Sequence, residues 1–261
     1  MYQSRDYGIM NINTRSRGLC SGMGLGIMVM DQAYPGFPGD VRNASAFPFP
    51  IQFEIIQGLE IDPLLYGENI DQFIPVILKA AKNLEKIGCR AVAAECGFFS
   101  YYQKIVADEL EIPVFMSSLL QVPFIQQTIS SKKNVGILCA SKERLSHAHL
   151  ENSGIQIGSN YFVEGIHDHD ECVEFKNLWG SPTHEIQGKA DFNKAEQEII
   201  TVAVGMKKRH PEMGALMLEC TGWSPFARAI QRAIDLPVYS WGTLLDYAHL
   251  VVNSREYYGH V

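Results

Sequence analysis

Two stretches end an apolar run on the same dipeptide. "AVAAECGFFSY" (Ala91–Tyr101) carries Glu95 and Cys96, and "ALMLECTGWSP" (Ala215–Pro225) carries Glu219 and Cys220. A cysteine at the end of an apolar strand can be core packing, a metal ligand or a reactive thiol. Taken alone, either one is most simply a small buried hydrophobe. The two belong to a longer repeat, however. Ala91–Val114 aligns without a gap on Ala215–Val238 at an offset of 124 residues (220 − 96). Identical pairs are Ala91/Ala215, Glu95/Glu219, Cys96/Cys220, Ser100/Ser224, Pro113/Pro237 and Val114/Val238. Phe99/Trp223, Tyr102/Phe226, Lys104/Arg228, Glu111/Asp235 and Phe115/Tyr239 are similar. If the two copies face each other about a pseudo-twofold axis, the cysteines approach one small molecule from opposite sides. A thiolate there is a base and a nucleophile.

The elements that must position this pair read as α/β. "LGIMVM" (Leu25–Met30), "RAVAAEC" (Arg90–Cys96), "NVGILCA" (Asn134–Ala140) and "ALMLEC" (Ala215–Cys220) are apolar throughout, as buried parallel strands are. "FEIIQG" and "NYFVEG" are further strand candidates. Asn69–Gly88 and Asp191–His210 have helical periodicity, the first closing on glycine and the second running from acids to bases. Strand and helix alternate, which predicts parallel sheets. Each repeat copy reads as strand, E-C, tight turn, helix, P-V strand. The expected architecture is two pseudo-symmetric, flavodoxin-like lobes, residues 1–131 with Cys96 and 132–261 with Cys220, the C-terminal helix being free to cross over. Both cysteines then lie at carboxyl ends of strands, where open α/β sheets bind ligands. The Pro/Gly-rich segment Met30–Pro50 follows a strand end and is expected to be an ordered loop at the ligand, with Asp40 and Asn43 as residues that close over it.

Composition narrows the class. The chain has 261 residues, 46% hydrophobic and 20% charged, which suits a globular protein with a real core. A net charge of −7 argues against nucleic acid as a partner. No apolar run approaches the roughly 20 residues of a membrane span, and "MYQSRDYGIMNINTRSRG" has no apolar h-region. A cytoplasmic location with free thiols is expected. The other cysteines, Cys20, Cys89, Cys139 and Cys172, have no partner in the repeat and read as packing. No C-x-x-C pair is present, and "HDHD" (His167–Asp170) reads as a solvated loop, so no metal site is expected. His184 and His249 are left open as cleft residues. "GMGLG" (Gly22–Gly26) precedes its strand rather than following it, which discounts a dinucleotide site.

Paired strand-end cysteines in duplicated lobes resemble the aspartate/glutamate/hydantoin racemase superfamily. "LECT" (Leu218–Thr221) is similar to its G-C-T or E-C-T element, and "AECGFF" (Ala94–Phe99) stands where many members carry C-N-T. "GDVRN" (Gly39–Asn43) and "PVFMSSLLQVP" (Pro113–Pro123) are similar to a racemase-like branch. The resemblance covers nearly the whole chain. It implies cofactor-independent chemistry in which one cysteine, as thiolate, removes a proton next to a carboxylate and the other, as thiol, returns one to the opposite face. Thr221, Gly97 and Ser117 are the implied carboxylate binders. The expected partner is a small carboxylate-bearing substrate, and the expected assembly a homo-oligomer, dimer or larger.

Departures from the pattern bear on the substrate. Gly97 replaces the asparagine of C-N-T, and Gly222-Trp223 follows Thr221 where glutamate racemases carry histidine. Phe98, Trp223 and Trp241 are the expected specificity residues, and aromatic faces attract onium cations. The leading expectation is an amino-acid racemase-like isomerase. The first alternative is a lyase that cleaves dimethylsulfoniopropionate, a reaction the superfamily also contains. The second is a non-catalytic small-molecule binder.

Overall fold

The computed structural model describes residues 18–33, 35–178, 188–255 and 257. The central strands are β1 (Leu25–Met30), β3 (Ala91–Ala94), β5 (Asn134–Cys139) and β7 (Met213–Leu218), whose residues are almost all buried. A strand covered on both faces has no solvent side to alternate with, so its sequence is apolar throughout. The flanking strands are β2 (Ile51–Ile56), β4 (Val114–Phe115), β6 (Tyr161–Gly165) and β8 (Val238–Tyr239). They form two four-stranded sheets, β2-β1-β3-β4 and β6-β5-β7-β8, in which every pairing is parallel. The two orders are the same order, as duplication predicts.

The helices are α1 (Ile61–Tyr66), α2 (Ile74–Ile87), α3 (Gln103–Glu109), α4 (Val122–Thr128), α5 (His147–Asn152), α6 (Val173–Asn177), α7 (Phe192–Arg209), α8 (Ala227–Ile234) and α9 (Trp241–Val252). The stretch predicted as one helix over 69–88 forms a 3-10 turn, Ile70–Phe73, followed by α2. Pro75 explains the break, because it has no N–H to give the preceding turn. Gly88 (φ 111°) ends α2 in the left-handed conformation, with its N–H on the carbonyls of Leu84 and Glu85. α2 lies close on β1, where a Cβ at Gly26 would come within 3.0 Å of Leu84. Asp191 caps α7 by accepting from the Lys194 N–H at 3.1 Å.

Each half lends a helix to the other. Trp241, Leu244, Leu245 and Ala248 of α9 pack with Leu25, Ile27, Val29, Ala91 and Ala93 of the first sheet. Val122 and Ile125 of α4 join the core that contains Val135 and Ile137 of the second. The halves are also stitched by hydrogen bonds. Ser118 Oγ donates to the carbonyls of Leu218 (2.9 Å) and Glu219 (3.2 Å), and Gln121 Nε2 donates to the Ser240 carbonyl at 3.0 Å. Among the described residues no helix is long and apolar enough to cross a membrane.

Candidate active site

The two cysteines sit in matching structures. Ladder pairing continues one residue past each strand, with Glu95 N–H on Met28 O (3.1 Å) and Glu219 N–H on Leu138 O (2.9 Å). Cys96 and Cys220 are therefore the first residues beyond the sheet, both extended. Each heads a six-residue 3-10 turn, Gly97–Tyr102 and Thr221–Phe226. The turns close in the same way, Phe99 N–H to Cys96 O at 3.0 Å and Trp223 N–H to Cys220 O at 3.3 Å.

The thiols meet opposing influences. Burial raises the Cys96 thiol well above its ordinary range, the Glu219 charge adds to that, and the Phe98 N–H opposes it by donating to sulfur. Burial likewise raises Cys220, again reinforced by Glu219 and opposed by an N–H, that of Gly222. In each turn the donor is the second residue after the cysteine, where helix-type turns leave N–H groups without intrahelical partners. Each thiolate thus has a built-in donor. The two sulfurs are also near enough for the charge of Cys220 to act on Cys96.

The first long loop seats on the second turn. Asp40 is buried, and its Oδ1 accepts from the Arg42 N–H at 2.7 Å. A Cβ at Gly222 would lie 3.6 Å from Asp40 Oδ2 and 3.8 Å from Cys220 Sγ, so this carboxyl and that thiol flank one glycine. Gly39 has φ +102° and approaches Pro225 so closely that a Cβ would sit 3.2 Å from its Cα. Asn43 ties the loop to itself, with Nδ2 on Gly36 O (3.3 Å) and Oδ1 accepting from Ser45 (2.6 Å).

Thr221 and Gly97 occupy matching first positions of the two turns, both buried. Ser117 is buried and its Oγ accepts from the Leu119 N–H at 3.2 Å, capping its own turn. Phe98, Trp223 and Trp241 are at most 1% exposed. Phe98 meets the His149 ring edge-on at 5.4 Å, Trp223 packs on Phe175, and Trp241 Nε1 donates to the Glu219 carbonyl at 2.7 Å. His249 stacks on Phe49. His184 lies outside the described residues. In the His167–Cys172 segment, His169 reaches Glu164 and Glu171, while Cys172 is buried.

Strand alternation turns Glu95 and Glu219 away from the cysteines and predicts structural hydrogen bonds or salt bridges for them, but it does not identify their partners. Glu95 is buried, receives the Met30 N–H and forms an ion pair with Arg42. Burial pushes its carboxyl up, and Arg42 pulls it down. Arg42 further donates to the carbonyls of Met30 and Gln32, which ties the loop to the end of β1. His149 is buried against Phe98 and Tyr101, and burial pushes it down to about 4. The signals were present, as a Glu before each cysteine and an Arg inside "GDVRN", but they named no partners.

Solved structures share the fold. The fold is shared with unliganded arylmalonate decarboxylase (TM-score 0.56, 16% identity, 91% of this chain and 97% of that one). It is shared as well with an aspartate racemase homologue from Pyrococcus horikoshii OT3 (TM-score 0.55, 13% identity, 89% and 100%). Glutamate racemase RacE1 from Bacillus anthracis aligns at a TM-score of 0.52 with 13% identity, over 88% of this chain and 84% of that one. The chain thus has the two-lobed α/β fold of these structures.

Sequence likeness points to one group of relatives. The chain is 26% identical over 219 residues to a dimethylsulfoniopropionate lyase of Durusdinium sp. clade D, covering 82% of this chain and 70% of that protein. It is 24% identical over 222 residues to dimethylsulfoniopropionate lyase 6 of Emiliania huxleyi (strain CCMP1516). That match covers 82% of this chain but 56% of the lyase, so the chain spans little more than half of that relative's length. No family model matches. The superfamily resemblance read from the paired cysteines, with lyase relatives, holds.

Proposed function

We propose that this chain is a cofactor-independent enzyme in which Cys96 and Cys220 move a proton at the carbon next to a carboxylate, and that its reaction is β-elimination of dimethylsulfoniopropionate. The observation that carries the proton chemistry is the matched pair of strand-end cysteines, each with an N–H of its own turn on sulfur, with Cys220 near enough for its charge to act on Cys96. The choice of reaction rests on the lyase relatives and on the unequal surroundings of the two thiols. Cys220 has the Asp40 carboxyl beside it, and Asp40 is not among the groups that act on Cys96. Elimination needs one base. Racemisation needs two groups of comparable competence.

One cysteine thiolate takes the Cα proton and becomes a thiol. The Cα–H electron pair becomes the Cα=Cβ bond. The Cβ–S bond breaks, dimethyl sulfide leaves with that pair, and acrylate remains. The thiol then returns its proton to solvent. Because both thiols are raised by burial, they rest protonated near neutrality, and the turn N–H groups hold the thiolate when it forms. Donors at the turns also offset the carboxylate charge that develops as Cα loses its proton.

The pseudo-symmetric placement of the cysteines favours a second reading, an amino-acid racemase. Headspace detection of dimethyl sulfide from purified protein and dimethylsulfoniopropionate, repeated after chelator dialysis and with Cys96→Ala and Cys220→Ala, tests the first. Deuterium wash-in at Cα with inversion, and no dimethyl sulfide, would establish the second instead. Ligand binding with no turnover of any substrate would leave only a binder.

A further inference from the structure

The two halves of the site depart from their common plan at one pair of positions. Glu95 and Glu219 hold matching places before the cysteines, and each takes a backbone N–H from the end of the neighbouring strand, Met30 for Glu95 and Ala140 for Glu219 (3.4 Å). Glu95 then finds Arg42. Glu219 is 1% exposed, and its Oε1 has no hydrogen-bond partner among the described residues. Its carboxyl lies on the first residue of the opposite turn. A Cβ at Gly97 would be 2.0 Å from Glu219 Oε1 and 2.3 Å from Cδ. At the matching position the second half has Thr221, a residue with a Cβ and two further side-chain atoms. Glycine at 97 therefore admits the carboxyl of one half onto the turn that carries the cysteine of the other.

We propose that Glu219 is a positioning residue for the cysteine pair: it serves as the neutral acid, and its ionisation disfavours thiolate at Cys96 and Cys220. This rests on reading those cysteines as the proton-moving pair. The titratable groups that face it are Cys96 from the first turn, Cys220 from the second and Cys139 from the end of β5, and its charge raises all three thiols. The groups that act on Glu219 itself are its burial, which pushes it up to about 8, and the Ala140 N–H, with no lysine or arginine among them. At neutral pH it therefore carries its proton and adds no charge to the site. As pH rises through about 8 it ionises, and the gain in thiolate expected from rising pH is offset.

The test is the rate at which iodoacetamide alkylates each cysteine, read by peptide mass spectrometry from pH 6 to 10, in wild type and Glu219→Gln. Alkylation needs only a thiolate that displaces iodide, so it stands apart from whether the chain turns over any substrate. The expected result is Cys96 alkylation about tenfold or more faster in Glu219→Gln above pH 8, as the removal of a nearby charge in a poorly screened site predicts. The ratio should fall toward one below pH 7. Superimposed profiles would overturn the proposal, and so would a ratio that is the same at pH 6.5 and 9.5, which would mean a merely opened structure. If Glu219→Gln fails to fold, infrared difference spectra of the wild type decide. A protonated carboxyl band present at pH 7 and lost near pH 8 supports the proposal, and its absence at pH 7 overturns it. A shifted alkylation profile in a protein whose Cys→Ala variants keep full turnover would retire the catalytic reading and leave the tuning of the thiols standing.

Discussion

Replacing Gly97 with alanine adds one methyl group at the most crowded point of the site. The new Cβ would lie 2.0, 2.3 and 2.5 Å from Oε1, Cδ and Cγ of Glu219, against an ordinary carbon contact of about 3.5–4.0 Å. The backbone is no obstacle, because Gly97 does not hold a left-handed φ and Thr221 occupies the matching position. The carboxyl must therefore withdraw by more than 1 Å, by the same distances. It is 1% exposed and held by the Ala140 N–H, so withdrawal loses that hydrogen bond without gaining water. Overpacking costs about 1–3 kcal/mol, and a buried polar group left unsatisfied costs about 1–3 kcal/mol more. At roughly 2–4 °C per kcal/mol for a chain of this size, the 2–6 kcal/mol total lowers Tm by roughly 4–24 °C. The assay is calorimetric melting of Gly97→Ala, Glu219→Ala and the double variant. Glu219→Ala removes all three crowding atoms, so the added methyl should then be nearly neutral, with a coupling energy of at least about 1 kcal/mol. A single variant that melts within about 2 °C of wild type, or purely additive effects, would refute the contact and the reason given for glycine.

Cys96→Ala and Cys220→Ala should not be equal for elimination. The one that removes the base should lose about 100- to 10,000-fold in kcat, the usual worth of a positioned base, measured as dimethyl sulfide release. Arg42→Met removes the contacts that Arg42 makes to Glu95 and to the carbonyls of Met30 and Gln32 and should cost about 1–3 kcal/mol in urea unfolding, with Arg42→Met/Glu95→Gln losing less than the sum of the two single variants. Stability should also respond to Glu219 through pH. Its folded pKa of about 8 lies above the ordinary carboxyl value, so between those values the native state holds the extra proton and loses stability as pH rises, by about 1.4 kcal/mol per unit. Glu219→Gln should gain on wild type across that window and no further above pH 8, and parallel curves from pH 5 to 8 would contradict the assignment.

The sheets were legible because buried parallel strands are written as plain apolar runs. β1 falls on Leu25–Met30 as expected, and β3 stops at Ala94, two residues short of Cys96, only because the chain turns at the cysteine. The cysteine pair was legible because duplication repeats a residue that single strands leave ambiguous. The aromatics were not. A 3-10 turn has neither the period of a strand nor that of an α-helix, so the order Gly97-Phe98-Phe99 could not say that Phe98 faces His149 from the other half. Nor could the alternation of a strand identify what meets Glu95. It placed Glu95 away from Cys96, but Arg42 arrives from a loop 53 residues earlier (95 − 42), a distance in sequence that only the folded topology closes.

Duplication and divergence pull the chemistry in different directions. Matching turns give each cysteine an N–H from the second residue after it, Phe98 for Cys96 and Gly222 for Cys220, and if the rest were also equal the site would have no preferred face. The charges around it are unequal. Burial raises both glutamates to about 8, but Arg42 acts on Glu95 while no lysine or arginine is among the groups that act on Glu219, and Asp40 stands beside Cys220. The residues that break the symmetry belong to the same few positions, Gly97 against Thr221 and the Gly39–Asn43 loop, which seats Gly39 on Pro225 and sends Arg42 to Glu95. A reaction that must run equally from both faces gains nothing from this. A one-way elimination, in which one thiol ionises while the other need not, is served by it. The shared plan of the two halves therefore accounts for the presence of two cysteines, and the asymmetry around them bears on the choice between the proposed elimination and racemisation.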